Sequence, residues 1–592
     1  ADAAYGVPYT GNETNVPIPP MAQCSFRGGF LLSVIDEPPY RFDTGEAPWQ
    51  VEDLTHAVRL EKRSIFHDIG PSFVIDAHGW KHPKTAKTPI VIRNPIENSV
   101  HGIAQPGWRL DPSPLPEQQR THFHGGNIRE VRRGSLSLRA WQDLVAQQIP
   151  LAIAPNSQHD IILDIGEYLC GYPQLGVSQG ENASITISWA EALYEAASEN
   201  DISASTQKGD RNKTSGKAFF GFSDTFICSG ENLFRFPSFW WRAGRYIRIQ
   251  IETEHAPLII ERLALKTTHY PLDWEGHVEC DDPSLLSIAR LAANTMRQGT
   301  HELFTDSPYY EQMAYVGDNI TEALVSYVMT NAPHMPRRAI ELFDWSRTVT
   351  GLVAERYPST RYQGSTTYAM LWPSMVRNHA WWRGEPDFIS ACLHSVRQLI
   401  EVLTLYLDND GLLGPLPGWS FADWVPDAWP VGMPPGHETG DSSIIQFHWV
   451  HCLQAAADLE KHFGDPELHE RLLRMEHRAR ISILERYYCT ETDLFYDEGK
   501  HLHLSEHANA LATLLGFRLK SAQHWSEELE RHPHARCSVY FSHYLLEAFY
   551  KERRADLFFK RLEFWRDLPV KGFLTIPERP EPTRSDCHAW GA

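Results

Sequence analysis

The 592-residue chain lacks the features of three large classes of protein. It has no run of about eighteen apolar residues, which a membrane-spanning helix needs. Its nine cysteines are scattered and never spaced as Cys-x-x-Cys, so neither a disulfide framework nor a zinc site is indicated. No repeat of roughly 33 to 47 residues recurs, so the sequence does not predict a solenoid. A globular chain with ordinary packing cysteines is what remains.

Positive charge is also scarce. Lys and Arg number 55 against 75 Asp and Glu, which gives a formal net charge of −20. Nucleic acid or an anionic membrane surface would be repelled, so we predict neither as a partner. The 19 Trp and 29 His are abundant, and aromatic faces are surfaces on which sugar rings stack, although large cores also use Trp.

The period of the apolar residues divides the chain into two parts. Up to about residue 272 the segments are short, and in Tyr246–Thr253 and Ser184–Trp189 apolar residues alternate with polar ones, as in half-buried strands. A loop-rich break near residues 104 to 140 suggests two β-rich domains, 1–140 and 141–272, of the sandwich class.

From residue 273 to the end the apolar period is that of helices. We predict eleven helices, arranged as sequential hairpins that fit a closed (α/α)6 toroid of six hairpins. They lie near 283–297, 319–331, 335–348, 366–381, 386–407, 442–463, 465–488, 505–517, 521–531, 537–550 and 553–567. Six hairpins need twelve helices, so we expect the last helix of this 273–592 domain to be missing after Ala592.

The stretch Thr305–Asp318 holds three carboxylates, Asp306, Glu311 and Asp318, without one basic residue. Like charges held close together are unfavourable, and they are typical of sites where one carboxyl must stay protonated near neutral pH. The alternative is three solvated acids on a surface loop. Behind the stretch, Asn319 and Glu322 have the spacing of a capping box that begins a helix.

This stretch resembles the acidic signature of the α-L-rhamnosidases of glycoside hydrolase family 78. The resemblance implies that Glu311 is the general acid and that Asp306, Asp318 and Tyr315 bind the sugar. The chain departs from the commoner family pattern, with Ser-Pro-Tyr-Tyr at 307–310 in place of Cys-Pro-Gln-Arg-Asp and Ala-Tyr at 314–315 in place of Gly-Trp. The family carries β-sandwich domains before an (α/α)6 catalytic domain and a small β-sandwich after it.

Acid/base hydrolysis of a glycoside needs a second carboxyl on the other side of the bond. Lys571–Glu578 resembles the family segment that carries the general base, which implies this role for Glu578. The next segment, Thr583–Trp590, resembles the one whose His reaches the sugar, which implies that His588 binds substrate. Glu581 is the competing candidate for the base.

Two further segments are rich in aromatic residues. Gly414–Pro426 has too much Pro and Gly for a helix, and its Asp423 and Trp424 resemble the Gly-Asp-Trp site loop of the family, which implies that both bind substrate. The alternative is a packed plug that closes the toroid. Trp372 falls near a helix end, where it is either a sugar subsite or part of the core.

These features together indicate an inverting glycoside hydrolase that releases terminal α-L-rhamnose from glycans or glycosides. The alternatives are a polysaccharide lyase or a hydrolase of another deoxy sugar on the same toroid, or a non-catalytic carbohydrate-binding protein. No cofactor enters the chemistry; some relatives hold calcium, but nothing in the sequence has the spacing of a calcium-binding loop. The sequence indicates neither the compartment nor the oligomeric state.

Overall fold

The computed structural model describes most of the chain. The described residues are 32, 42–61, 69–81, 87–89, 113–203, 205–347, 351–359, 362–517, 522–579 and 584–592, with the backbone alone at 81 and 522–524. Two compact units are present. The sheet unit is Ala1–Ile202 with Lys213–Thr268, and the helical unit is Ser203–Asn212 with His269–Ala592.

In the sheet unit, the described strands form one eleven-stranded sheet with the order β1-β2-β8-β7-β10-β6-β11-β3, to which β4 and β9 add on β6 and β5 adds on β11. The strands are β1 (Val58–Glu61), β2 (Ser72–Asp76), β3 (His122–Phe123), β4 (Asn127–Arg133), β5 (Leu151–Ile153), β6 (Gln158–Gln179), β7 (Ser184–Ala190), β8 (Phe222–Ile227), β9 (Phe234–Arg235), β10 (Arg242–Glu252) and β11 (Leu258–Thr267). The long strand β6 pairs with β10 over its first half and with β11 over its second half.

The predicted alternation is confirmed in β7 and β10. Their inward residues are buried in one apolar core: Ile185, Ile187, Trp189, Ile247, Ile249 and Ile251. Two helices that periodicity did not predict also belong to this unit, α1 (Ala77–Lys81) and α2 (Leu138–Gln147). The Ser137 side chain accepts a hydrogen bond from the Ala140 amide and so caps α2. Because much of 1–112 lies outside the described residues, the predicted separate domain 1–140 stays a prediction.

All eleven predicted helices are present in the helical unit, two of them broken into two pieces. The helices are α3 (Pro283–Gly299), α4 (Val316–Met329), α5 (His334–Trp345), α6 (Thr366–Ala369), α7 (Trp372–Arg383), α8 (Pro386–Thr404), α9 (Ser443–Phe463), α10 (Pro466–Tyr487), α11 (Glu506–Leu514), α12 (Ala522–Leu529), α13 (Ser542–Lys551), α14 (Ala555–Arg561) and α15 (Glu563–Val570). A two-stranded ribbon, β12 (Tyr488–Cys489) with β13 (Leu494–Phe495), follows α10.

Burial separates inner helices from outer ones. Residues Glu506–Thr513 of α11 and Ser443–Val450 of α9 are buried on every side, as in helices surrounded by others. In contrast, α10 buries only a stripe, at Leu472, Ala479, Ile483 and Tyr487. Contacts between α3 and α15, the first and last helices of the unit, close the ring. A short 3-10 turn at Ala589–Gly591 contacts α3 and α4.

The predicted capping box is wrong. Helix α4 begins three residues earlier, at Val316, with Tyr315 in the N-cap position. Asn319 therefore lies inside the helix, where its side chain donates a 2.6 Å hydrogen bond to the Glu322 carboxylate. An added Cβ at Gly317 would lie 2.3 Å from Cζ of Tyr368, so this glycine lets the Tyr368 ring pack directly against the first turn.

Two further observations, on membrane-spanning helices and on cysteines, apply to the described residues. None of their helices combines the length and the apolar character needed to cross a membrane. The eight cysteines among them are all free thiols: Cys170, Cys228, Cys280, Cys392, Cys452, Cys489, Cys537 and Cys587.

Candidate active site

The acidic stretch forms a compact loop before α4. The Met313 amide donates a 3.1 Å hydrogen bond to Oδ1 of Asp306, and the Asp306 amide donates to the Met313 carbonyl at 2.8 Å. Asp306 and Asp318 are each only 2% exposed, so the alternative of solvated surface acids is wrong for both. Glu311 is partly buried and accepts a 2.7 Å hydrogen bond from the Tyr315 hydroxyl.

The C-terminal segment meets this loop. The Ser307 hydroxyl donates to the Ser585 hydroxyl oxygen at 3.0 Å, and the Ala589 amide donates to the Asp306 carbonyl at 2.9 Å. These contacts place His588 between the two aspartates, with its ring nitrogens 3.9 Å from a carboxylate oxygen of Asp306 and 3.8 Å from one of Asp318.

Glu578 is held by the same segment. Its amide donates to the Ser585 carbonyl at 3.0 Å, and its own carbonyl accepts a 3.3 Å hydrogen bond from the Trp590 indole. The residue is 7% exposed, and the Arg584 guanidinium lies 3.6 Å from its carboxylate. The competing candidate Glu581 lies outside the described residues.

The buried acids of this site act on one another. Burial, the charges of Glu311 and Asp318 and a hydrogen bond to Glu311 raise the pKa of Asp306 well above its ordinary value. Burial and the charges of Glu322, Glu311 and Glu578 raise the pKa of Asp318 in the same way. These shifts mean that Asp306 and Asp318 favour the protonated form far more than a solvated aspartate does.

Glu578 and His588 are shifted by burial in opposite directions. Burial raises the pKa of Glu578 to about 7, with Arg584 opposing the rise and Glu311 adding to it. Burial and the positive charge of Arg584 lower the pKa of His588 well below its ordinary value. The imidazole is therefore neutral at neutral pH, and its distances to Asp306 and Asp318 are not those of an ion pair.

Two further acids belong to this site that the sequence analysis did not assign to it, Glu322 and Glu355. Burial raises the pKa of Glu322 to about 8 against the opposing hydrogen bond from Asn319, and burial raises that of Glu355 to about 8 against Gln363 and Arg356. Glu322 follows Asp318 by four residues, so its place on the same helix face could have been found. Glu355 lies far from the motif in sequence, and no signal identifies it.

Aromatic rings surround the carboxylates. Trp590 packs 4.0 Å from the His588 ring and stacks on Tyr540 at 4.9 Å. Tyr540 in turn approaches Tyr368, whose centroid is 6.2 Å away. All three rings are buried, so they form an apolar wall beside the hydrogen-bonding groups of the site.

In the predicted site loop Gly414–Pro426, Trp424 and Asp423 lie in different surroundings. Trp424 is partly exposed, and the Arg584 and Arg579 guanidinium carbons lie 5.0 Å and 5.3 Å from the centre of its ring, so it lies beside the Glu578 segment. Asp423 is fully buried. Its carboxylate forms hydrogen bonds with the His507 ring at 2.7 Å, with the Ser538 amide at 2.9 Å and with the Ser538 hydroxyl. Substrate binding by these two residues stays a prediction.

Trp372 is not brought together with the carboxylates. It is fully buried in α7, and its indole N–H donates a 3.3 Å hydrogen bond to the Ile340 carbonyl of α5. This is the core placement that its position near a helix end left open. The predicted subsite role has no observation in its favour.

A metal ion would require a group of side chains that could bind it. Within the described part of the chain, no group of three or more His, Cys, Asp or Glu side chains is arranged to hold a metal ion. The prediction that no cofactor enters the chemistry stays a prediction.

Comparison with protein families finds two matching models. The model described as the bacterial alpha-L-rhamnosidase 6 hairpin glycosidase domain matches residues 273–563. The model described as the bacterial alpha-L-rhamnosidase concanavalin-like domain matches residues 155–266. These matches confirm the predicted fold class, a β-sandwich followed by a six-hairpin helical domain. No curated protein sequence matches the chain significantly.

Solved structures of similar fold include rhamnosidases. The family 78 rhamnosidase of Bacillus sp. GL1 is 20% identical with a TM-score of 0.66, over 78% of this chain and 48% of that one, so the chain spans about half the length of that relative. A rhamnosidase from Klebsiella oxytoca with rhamnose bound is 17% identical with a TM-score of 0.66, over 81% of this chain and 95% of that one. At these identities the likeness is one of fold.

Proposed function

We propose that this chain, which over residues 155–266 and 273–563 belongs to the bacterial α-L-rhamnosidase family, is an inverting glycoside hydrolase that releases terminal α-L-rhamnose. The observation that carries the proposal is the meeting of the loop of Asp306 and Glu311 with the segment of Glu578 and His588. Glu311 acts on the pKa of Glu578, so the two carboxyls that acid/base hydrolysis needs lie within electrostatic reach of each other.

In the proposed reaction Glu311 is the general acid and protonates the glycosidic oxygen. The Tyr315 hydroxyl donates to Oε2 of Glu311 at 2.7 Å, which orients the carboxyl. Asp306, whose raised pKa has a hydrogen bond to Glu311 among its causes, favours the protonated form beside the proposed acid.

Glu578 is the general base and takes a proton from a water that attacks the anomeric carbon from the opposite face. The Arg584 guanidinium lowers the pKa of Glu578 against the effect of burial, which supplies ionised carboxylate near neutral pH. Inversion requires room for that water, so we expect the two carboxyl groups about 6.5–9.5 Å apart in the working enzyme.

The sugar is rhamnose in this proposal because the structures of similar fold from Klebsiella oxytoca and Streptomyces avermitilis are rhamnosidases that hold rhamnose. Asp306, Asp318 and His588 would bind the hydroxyls, since the two aspartates interact with Glu311 and His588 lies between them. Trp590 and Tyr540 would pack against the C–H face. These assignments to substrate are part of the proposal.

Release of the aryl group from an aryl α-L-rhamnoside tests the function. We expect turnover with the L-rhamnoside and none with the matched aryl β-D-glucoside. Turnover of neither substrate together with binding of rhamnose would favour a non-catalytic carbohydrate-binding protein. Release of an unsaturated product from a uronate polysaccharide would favour a lyase.

Proton NMR of the reaction tests the stereochemistry. The first anomer of rhamnose to accumulate should be the β form, because one displacement inverts the configuration of the α-rhamnoside. The α anomer appearing first would contradict inversion and leave the hydrolase assignment standing.

A further inference from the structure

The segment Ser203–Asn212 belongs to the helical unit although it lies between strands of the sheet unit in sequence. It brings two cations into that unit, Lys208 and Arg211. Lys208 is 1% exposed, which is rare for a lysine and occurs where its ammonium has partners.

Both cations bind one aspartate, Asp586. Arg211 donates to its two carboxylate oxygens at 3.2 Å and 3.0 Å, and the Lys208 ammonium lies 3.3 Å from Oδ1. Burial disfavours the charge of Asp586, but Lys208 and Arg211 outweigh it and lower the pKa of the carboxyl. The three side chains form a buried charged group that we call the clamp.

The clamp touches the backbone that carries the proposed base. The Lys208 ammonium donates a 2.8 Å hydrogen bond to the carbonyl of Arg584, the residue whose guanidinium lies 3.6 Å from the Glu578 carboxylate. Ser585, the next residue, accepts the Glu578 amide hydrogen bond with its carbonyl. His588 follows Asp586 by two residues. Movement of the clamp would therefore move both functional side chains.

Lys208 also approaches the loop of the proposed acid. Its ammonium lies 5.8 Å from the centre of the Tyr310 ring, and Tyr310 precedes Glu311 in sequence. A second link between the same two segments is the 3.0 Å hydrogen bond from Ser307 to Ser585. The clamp thus lies where the loop of Glu311 and the segment of Glu578 meet.

We infer that Lys208, Arg211 and Asp586 are positioning residues that fix Glu578, Arg584 and His588 relative to the loop of Glu311. This inference deepens the proposed function and rests on it for its kinetic consequences. The clamp holds a backbone in place through charge-assisted hydrogen bonds, which are stronger and more directional than neutral ones. Precise placement matters because a shift of about 1 Å in a catalytic group lowers turnover by about a hundredfold.

The first variant is Lys208→Met. It keeps an unbranched side chain only one atom shorter, loses the hydrogen bonds to Arg584 and Asp586, and leaves Arg211 and Asp586 as a balanced pair, so we expect it to fold. The matched control is Lys213→Met, since Lys213 is an exposed lysine just beyond the same segment. We expect kcat on an aryl α-L-rhamnoside to fall by about ten- to a hundredfold in Lys208→Met, with KM changed less, and to stay unchanged in the control.

The pH profile separates positioning from mere loss of folded protein. Among the described residues, the charged groups that act on Glu578 are Arg579, Arg584, Glu311 and Asp318. If Lys208→Met lets Arg584 move away, its charge no longer favours ionised Glu578, and the acidic limb of kcat/KM shifts to higher pH. A reduced amount of correctly folded enzyme would lower the whole profile without moving that limb.

Amide hydrogen exchange tests the clamp without any activity. The amides of Glu578, Cys587 and His588 should exchange at least about tenfold faster in Lys208→Met than in the wild type or Lys213→Met. Arg211→Lys keeps the charge but loses the two-oxygen contact, and it should give a smaller increase.

Unchanged exchange and an unchanged acidic limb in Lys208→Met would overturn the inference. If the wild type does not hydrolyse the rhamnoside but the variant shows the faster exchange, the clamp stands and the proposed function falls. If Lys208→Met does not fold, Arg211→Lys supplies the same two measurements with the charge balance intact.

Discussion

Buried acids are treated differently in the two units. In the sheet unit, buried or nearly buried aspartates face guanidinium groups: Asp224 with Arg242 at 2.7 Å, Asp164 with Arg245 at 2.8 Å and Asp160 with Arg248 at 2.7 Å. In the candidate site of the helical unit, Asp306, Asp318 and Glu322 lie among other acids, and burial raises the pKa of each.

The difference shows that burial alone does not decide whether a carboxyl is charged or protonated. A buried carboxylate beside arginine stays charged and contributes to the fold, whereas a buried carboxyl beside other carboxyls tends to hold a proton, which is useful in acid/base chemistry. Asp586 sharpens the point, because it lies two residues before His588 and yet has two cations as partners. The partners, more than the depth, distinguish a structural acid from a functional one.

The largest effect that would test this comparison is the loss of turnover in Glu311→Gln. The amide keeps the shape but delivers no proton, so we expect turnover to fall by about 10²–10⁴-fold with sugar binding nearly intact. The loss should shrink for aryl rhamnosides with good leaving groups, which need little protonation. Glu302→Gln, an exposed acid nearby, is the control. Equal losses for good and poor leaving groups would remove Glu311 from the role of acid.

The opposite outcome is expected from a paired acid of the sheet unit. Asp224→Asn leaves the buried Arg242 without its counter-charge, and breaking such a pair destabilises by about 3–5 kcal/mol. We expect the amides of β10 to lose that much protection from hydrogen exchange while kcat of the folded protein stays the same. Glu254→Gln, exposed in the same unit, should change neither. A fall in kcat without loss of protection would erase the distinction between the two kinds of acid.

Much of this arrangement could be predicted from the sequence. The change of apolar period near residue 273 located the helical domain, and the acidic stretch marked Asp306, Glu311 and Asp318 before any geometry was known. The start of α4 was misplaced because Asn319 and Glu322 have the right spacing for a cap but make their hydrogen bond inside the helix. Local spacing does not reveal which of two compatible hydrogen bonds the packing selects.

Long-range pairings could not be predicted at all. Nothing in the local pattern around Lys208 and Arg211 indicates that they bind Asp586, which lies 375 positions after Arg211. Asp423 carries the family-like motif, yet its oxygens are bonded by His507 and Ser538, which belong to later segments. Partners of this kind are fixed by tertiary packing, and no periodic pattern in the sequence indicates them.

A smaller effect, and of opposite sign to that in the sheet unit, is expected from Asp306→Asn. The folded protein raises the pKa of Asp306, so the ionised carboxylate is disfavoured in the folded state, and stability falls as pH rises above the unfolded value of about 3.9. The amide removes that penalty and keeps an oxygen to accept from Met313. We expect a gain of about 2 kcal/mol at pH 7 that disappears near pH 4.

Amide exchange of α4 at several pH values measures this gain. Asp281→Asn, at an exposed position before α3, is the control and should show none. A loss of protection at pH 7 would mean that Asp306 is a structural acid like Asp224, and the comparison between the units would no longer hold.

The smallest effect concerns Arg584, whose guanidinium lies 3.6 Å from the carboxylate of the proposed base. Glu578 must be ionised to accept a proton, and its pKa of about 7 predicts that kcat/KM falls about tenfold per pH unit below that value. Arg584→Met removes the charge that favours the ionised form, so the acidic limb should move to higher pH by about one unit. Arg59→Met, at an exposed position of the sheet unit, should leave the limb in place.

If the limb stays near pH 7 in Arg584→Met, the group that titrates is another acid. Glu355 and Glu322 are then the next residues to substitute, because burial raises the pKa of each to about 8. If the limb moves as expected, the site combines both arrangements: Asp306 and Asp318 favour the protonated form because they are buried among other acids, and Glu578 ionises more readily than burial alone would allow because the Arg584 guanidinium lies beside it.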